Sequence, residues 1–449
     1  MLWAASKGVG PVKPRSYKHF PPLTRAKSAI FLIYRLSHSN RRGSDFSMHA
    51  LAKIRQDLSL TIRPVFGFMV LGIFWGSYAA LAPQIKAQIG AGDGLFGTLL
   101  LMSALGLVTA MWLAPRVDRH LGKWGLPLGA GLLALSFAVL GAASRPLEFG
   151  IGMVLAGAAS GLTDVIINAR VSEAEAAYKR PLMSLNHAMF SFAYALAALS
   201  AGTAREFDAS ALQVFLGLGV IVALALPILR SPSFLVGASQ DGATEQGVDL
   251  APFWSGLVIW PGLVVMFGFM SEAAMESWSA LHIERSLGGR AVEGAIGPFM
   301  LGLTMGIGRL AGHFLTQAHD TLRMVSRAAL VSAAGAVIAA FAVTPEMAYT
   351  GFAIQGLGVS IIAPLALGLA GQLAGSGERT RIIARVSVIG FAGFLLAPAT
   401  MGWMAELASL RVAFGMIAVI LLIIPLICAR ALRPLSPARG GQEGRISGV

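Results

Sequence analysis

Three groups of polar side chains interrupt long apolar runs at spacings that matter chemically. Asp164 and Asn168, in the run 148–169, are four residues apart. Glu272 and Glu276, in 253–280, repeat that spacing, and His187 follows Asn186 in 182–203. Residues four apart share one face of a helix. An ionisable group at mid-membrane costs about 2.5–3.5 kcal/mol on insertion scales, so each of these groups needs a reason to be there. A carboxyl at Asp164 is suited to hold a proton, a cation or a solute hydroxyl. The structural alternative is a polar clamp beside Arg170, with Gly157 and Gly161 extending the stripe and admitting a neighbouring helix. Two carboxyls on one face repel, which favours Glu272 or Glu276 holding a proton and suits the pair to proton coupling. Against that, Glu276 reads equally as an interfacial residue beside an anchoring Trp278. Asp164 and His187 lie equally far from the middle of the connection 170–181, so antiparallel helices would hold them at one depth. If their faces agree they pair; otherwise His187 is a packing residue.

The elements that must carry these groups follow from composition. The 449-residue chain is 55% hydrophobic and 13% charged, with a mean hydropathy of +0.70. A soluble domain carries about 25% charged residues, so lipid is the solvent for most of this chain. A helix crosses the hydrocarbon with about 20 apolar residues. Twelve runs qualify: 64–85, 94–115, 124–143, 148–169, 182–203, 211–229, 253–280, 294–315, 325–343, 348–372, 382–405 and 411–430. The predicted fold is all-α integral membrane, with twelve transmembrane helices. The net charge of +13 is concentrated in connections on one side. With both termini cytoplasmic, 29 Lys/Arg lie inside and 6 outside, the asymmetry expected of an inner-membrane protein.

The run of spans divides at a polar connection. Residues 64–229 and 253–430 form two six-helix, pseudo-symmetric halves joined by a cytoplasmic linker, 230–252, rich in Ser, Gly and Gln. Duplicated halves of this kind are the habit of secondary transporters, which rock one half against the other around a midplane site. The halves echo each other after their second helices, where APRVDRHLGKW (114–124) and GRLAGHFLTQAHD (308–320) both set an Arg and a His near a Gly. Residues 1–63 read as a basic, disordered cytoplasmic extension, and Met48 would serve as an ordinary start; a transit peptide is the other reading of 1–47. Residues 431–449 read as a cytoplasmic tail. The single cysteine, Cys428, excludes an internal disulfide. There is no phosphate-binding Gly-rich motif, no metal-ligand spacing and no extramembrane run long enough for a catalytic domain. No cofactor, enzyme activity or nucleic-acid partner is expected.

Residues 114–124 resemble the loop signature of the major facilitator superfamily, Gly-x-x-x-Asp-Arg-x-Gly-Arg/Lys. Asp118 and Arg119 match it; Ala114 replaces the first Gly, and Gly122 and Lys123 come one residue late. GLTDVIINARVSEAEAAYKRPLMSLNHAMFSF (161–192) and SEAAMESWSALHIERSLGG (271–289) resemble a bacterial inner-membrane branch related to the fucose permeases. The drug-antiporter signature of the fifth helix is missing from 182–203. The resemblance implies a gate at the cytoplasmic end of the second helix, formed by Asp118, Arg119 and Gly122, with Arg309 in the echoing loop and Arg385 as a partner for Asp118. It also implies that helices 1, 4, 7 and 10 line the cavity, which adds Trp75, Tyr78 and Gln355 to Asp164, Asn168, His187, Glu272 and Glu276. Aromatic faces with a polar tip suit a neutral sugar or polyol. The expectation is a monomeric transporter that moves a small, sugar-like organic solute by alternating access, coupled to protons or driven by the solute gradient. A solute sensor on the same fold, and an exporter of drugs or metabolites, remain alternatives.

Overall fold

The computed structural model describes residues 52–231, 255–315, 321–374 and 378–435. Most of the basic extension, the linker beyond Ser231 and the tail beyond 435 lie outside the described residues. Residues 57 onward form one compact unit, to which everything below refers. No strand occurs among the described residues. The helices are α1 (Ile62–Gln88), α2a (Asp93–Leu100), α2b (Met102–Leu121), α3 (Gly125–Ala142), α4 (Pro146–Tyr178), α5 (Met183–Glu206), α6 (Ala211–Ala225), α7 (Gly256–Leu281), α8 (Ala291–Leu315), α9 (Thr321–Ala340), α10 (Pro345–Leu373), α11 (Arg379–Leu407) and α12 (Leu410–Ile427).

Each predicted apolar run falls on helix, 94–115 on α2a and α2b together and the others on one each, but ten helical stretches, rather than twelve, are long and apolar enough to cross a membrane among the described residues. The shortfall has local causes. Helix α6 has only 15 residues, and α5 is diluted by Asn186, His187 and its serines. Prolines inside seven of these helices, Pro83 and Pro398 among them, are tolerated because backbone groups in lipid find substitutes nearby. Large side chains such as Val108, Trp112, Leu135, Leu224 and Val419 stand exposed on the outside. Apolar surface on that scale marks contact with a membrane. The chain is a multi-pass membrane protein.

Helices pair by a rule that repeats with an offset of six. Helix α1 packs along α5 as α7 packs along α11; α2b packs on α4 as α8 packs on α10; α3 packs on α6 as α9 packs on α12. Two further pairs, α5 with α8 and α2a with α11, join α1–α6 to α7–α12. With no hydrophobic drive between helices in lipid, such contacts depend on small residues that let backbones meet. A Cβ on Gly157 of α4 would run into the carbonyl of Ser103, and one on Gly106 of α2b into that of Val154. Where α2a crosses α11, Gly97 lies against the Pro398 carbonyl and Gly402 against that of Asp93.

This packing sets a test. Gly157→Val must push α2b and α4 apart and is expected to destabilise by about 1–3 kcal/mol, the overpacking range. Gly131→Ala in α3 meets nothing within 4 Å and should leave the melting temperature of purified protein unchanged or slightly higher. Equal behaviour of the two variants in a thermal-melt assay would contradict the close-packed α2b–α4 contact.

Candidate functional site

A cavity of about 710 Å³ opens among α1, α4, α5, α7, α8, α10 and α11, lined by Asp164, Asn168, His187, Glu272 and Arg309 with Phe68, Phe190 and Phe394. Its wall includes Met183 and Ser184 at the start of α5 and Leu367 near the end of α10, so it reaches toward the side that carries the N-terminus of α1. A deeper recess of about 260 Å³ shares Asp164, Phe190, Glu272 and Phe394 with it and adds Trp75, Tyr78, Ser160 and Glu276.

Helix α8 sends Arg309 across this space. One guanidinium nitrogen donates to Ser191 Oγ of α5 at 2.7 Å, and the other lies 3.3 Å from Glu272 Oε1 of α7. Ser191 in turn donates to the His187 carbonyl at 3.0 Å. Arg309 thus joins helices from both groups around one polar point. Its depth corrects its assignment to a loop gate: it lies well inside α8, six residues before Leu315, and faces the cavity.

The remaining residues fall into place around it. Asp164 and His187 line the same wall but form no ion pair, because the His187 ring packs on Phe68 with centroids 4.7 Å apart. The two share a depth without sharing a facing direction. The Asn168 side-chain amide donates to the Asp164 backbone carbonyl at 2.8 Å. Glu276 lines the deep recess, and Trp278 is fully buried against Phe96, which removes the interfacial-anchor reading of this pair. The Trp75 indole donates to Ser160 Oγ at 3.0 Å. The buried hydroxyl of Tyr78 has no hydrogen-bond partner beside the recess. Gln355 is fully buried and donates to Ser271 Oγ at 2.9 Å, which makes it a clamp between α10 and α7.

On the side that carries the α1 C-terminus the two groups of helices are fastened together. Asp93, at the start of α2a, takes both nitrogens of Arg285, at 2.6 and 2.7 Å, and the Lys86 ammonium at 3.0 Å. Arg205 at the end of α5 grips both Glu284 oxygens at 2.7 and 3.0 Å and also donates to the Ala80 carbonyl. Arg290 meets Glu206 at 3.1 Å, and the Gly94 amide donates to Glu406 of α11 at 2.7 Å. The cavity thus reaches toward one side, and ion pairs tie the two groups of helices together on the other.

Comparison with known proteins agrees. Residues 299–448 match the Major Facilitator Superfamily profile. An uncharacterised MFS-type transporter of Yersinia pestis is 29% identical over 378 residues, which covers 82% of this chain and 95% of the relative. The chain is thus similar to major facilitator superfamily proteins, through its C-terminal third in the profile and through most of its length in this relative. Among solved structures, a variant of the nucleoside transporter NupG superposes with a TM-score of 0.69 at 12% identity, covering 82% of this chain and 99% of that one. The D-xylose-proton symporter gives 0.66 at 14% identity, covering 83% and 97%. At these identities the structures establish the fold. The sequence relatives are transporters rather than enzymes.

In this chain the 114–124 segment forms the end of α2b and the turn that follows it. Asp118 does not meet Arg385. It binds Arg170 of α4 at 2.6 Å, and Arg170 also reaches Glu173 at 3.2 Å. The reason is packing: Arg170 is 1% exposed on the helix that lies along α2b, whereas Arg385 is buried on α11. Arg119 is exposed, and Gly122 caps α2b with φ +50°, a conformation that suits glycine. Sequence reasoning missed Ser191, Arg205, Glu284, Arg285 and Asp93. For Arg309 a signal existed: it falls inside the apolar run 294–315.

Arg170 supplies the test. Asp118→Asn leaves a buried guanidinium with one carboxylate fewer and is expected to lower stability by about 2 kcal/mol. Adding Arg170→Met should recover part of that loss. Additive losses in a chemical-unfolding cycle would show that the pair is not coupled.

Proposed function

We propose that this protein carries a small, polar, sugar-like solute across the bacterial inner membrane by alternating access, with proton movement coupled through buried carboxyls. The observation that carries the reading is the joined cavity and recess, which bring Asp164 of α4 and Glu276 of α7 together with the Arg309–Glu272 pair, with Trp75, Tyr78 and Phe190 as aromatic walls. Aromatic faces and hydroxyl-capable tips suit a ring with several hydroxyls. Asp164 and Glu276 hold no cation at ion-pair distance among the described residues, so either is free to exchange a proton with the cavity. The nucleoside and D-xylose carriers of the same fold support a solute of that size and polarity.

In this reading α1–α6 and α7–α12 are two halves that rock about the cavity, a division supported by the offset-by-six pairing. The Lys/Arg asymmetry supports cytoplasmic placement of both termini. The cavity then opens inward, and the ion pairs of Asp93, Arg205 and Arg290 form the outer closure. Coupling follows if a proton on Asp164 or Glu276 favours one tilt of the halves over the other.

Two measurements test this. In proteoliposomes with a pH gradient, Asp164→Asn and Glu276→Gln are each expected to abolish gradient-driven accumulation while solute exchange persists within about tenfold. Accumulation equal to the unaltered protein in both variants would remove these carboxyls from coupling. Separately, Asp93→Asn with Arg205→Gln should raise the labelling of cavity cysteines from the outside. Labelling confined to the inside, as in the unaltered protein, would show that these ion pairs do not hold the closure.

A further inference from the structure

A second recess, remote from the central cavity, lies where the start of α9 meets the end of α12. It encloses about 300 Å³ and is lined by Arg323 and Arg327 of α9 and by Arg433, together with Leu322, Ser326 and Cys428. The polypeptide brings these arginines together from places over a hundred residues apart. Arg323 and Arg327 are four apart and share a face of α9. Beyond α12 the chain continues through a wider turn, Cys428–Leu432, and Arg433 begins the next one. Among the described residues no acidic side chain lines the recess. Arg327 and Arg433 are exposed and form no ion pair among the described residues.

Positive charge at helix ends is ordinary on this side of a membrane protein. Two guanidinium groups that form no ion pair among the described residues, Arg327 and Arg433, are a different matter, because at one recess they repel unless an anion joins them. The guanidinium fork matches phosphate geometry, and a phosphate is compact enough to sit between two forks. The surroundings say which kind of phosphate. Exposed apolar side chains begin about one turn from Arg327, at Leu330 and Val331 on α9, and about two turns before Arg433, at Leu426, Ile423 and Leu422 on α12. A soluble phosphate has no use for such a surface, whereas the acyl chains of a phospholipid lie along it.

We propose that this recess binds the phosphodiester headgroup of an anionic phospholipid, with Arg327 and Arg433 as its main contacts and Arg323 at its rim. Basic pockets between transmembrane helices on the cytoplasmic side hold such headgroups. With the termini cytoplasmic, as in the functional reading above, the lipid belongs to the inner leaflet; the binding itself does not depend on that reading. The lipid bridges α9 and α12, which pack together, and so braces the outer edge of α7–α12 rather than the transport cavity.

The test is retention of dioleoyl phosphatidylglycerol by purified full-length protein in detergent, read by native mass spectrometry and by the thermal melt. The unaltered protein is expected to retain one tightly held phosphatidylglycerol and to melt higher with it than with dioleoyl phosphatidylcholine. Arg327→Gln with Arg433→Gln should weaken that binding by about thirty-fold, at roughly fivefold for each interfacial charge. A matched change of two exposed charges elsewhere on the same side, Arg116→Gln with Lys123→Gln, should leave it intact. Both altered arginines are exposed, so the variant is expected to fold, and its elution in gel filtration checks that. Equal retention by the two double variants would overturn the site. So would retention of phosphatidylcholine as tight as that of phosphatidylglycerol. Protection by inorganic phosphate alone, at the same concentration, would replace the lipid with a soluble anion and overturn the proposal as stated.

Discussion

Arg309 takes a full positive charge into the middle of an apolar bundle, and the polar centre of the molecule is organised around it. A buried cation persists only where charge and hydrogen bonds replace the lost water. Here Glu272 supplies the opposite charge and Ser191 a second acceptor, each from a different helix. The Ser191 hydroxyl is itself held by the His187 carbonyl, so the orientation of α5 is tied to the same point. Any relative movement of α5, α7 and α8 must stretch, exchange or follow these bonds. The cation is therefore both a structural tie and a sensor of how the helices around the cavity are arranged.

Two kinds of contact hold the bundle, and they do different work. Within each set of six helices, glycines allow backbone-to-backbone approach, as at Gly106 and Gly157. Such contacts are short-ranged and close-packed, so they change little without unfolding. Between the two sets, α5 with α8 and α2a with α11 also meet through small residues, among them Gly97, Gly302 and Gly402, but ion pairs cluster at one end. Hydrogen-bonded charge pairs at a water-facing end can be exchanged for water when the surfaces part. Packed glycine contacts have no such substitute, which makes the ion-paired end the natural place for an opening.

Much of this was legible in the residues. Apolar runs located the helices because lipid demands length and hydropathy, and the i, i+4 pairs put Asp164 with Asn168 and Glu272 with Glu276 on shared helix faces, which only the family resemblance turned toward a cavity. What could not be read was rotation about each helix axis. Equal depth placed Asp164 and His187 in one layer, yet the His187 ring turned to Phe68. Asp118 found Arg170 instead of Arg385, because helix adjacency decides among several arginines of similar depth. Trp278 reads as an interfacial anchor from its type, but α2a covers it with Phe96. Arg309 shows the opposite failure: its position within an apolar run gave its depth, and counting it with loop charges hid it.

The outer closure is graded in strength, and the gradient suggests an order of release in the proposed cycle. Arg290 is 66% exposed in its pair with Glu206, and a pair so open to water contributes little. Arg285 is partly exposed, but Asp93 is 8% exposed and takes two cations. Arg205 and Glu284 are 10% and 18% exposed, with bidentate geometry. Asp93 and Arg285 are bidentate too, so it is the burial of both partners that makes the Arg205–Glu284 pair the costly one to break, since separation leaves either partner to be rehydrated before it is stable. Arg205 also holds the Ala80 carbonyl of α1, so it keeps one hydrogen bond on its own side when Glu284 departs. Opening would then begin at the exposed rim, pass through Asp93, and finish at Arg205, whose pair has both partners shielded from water.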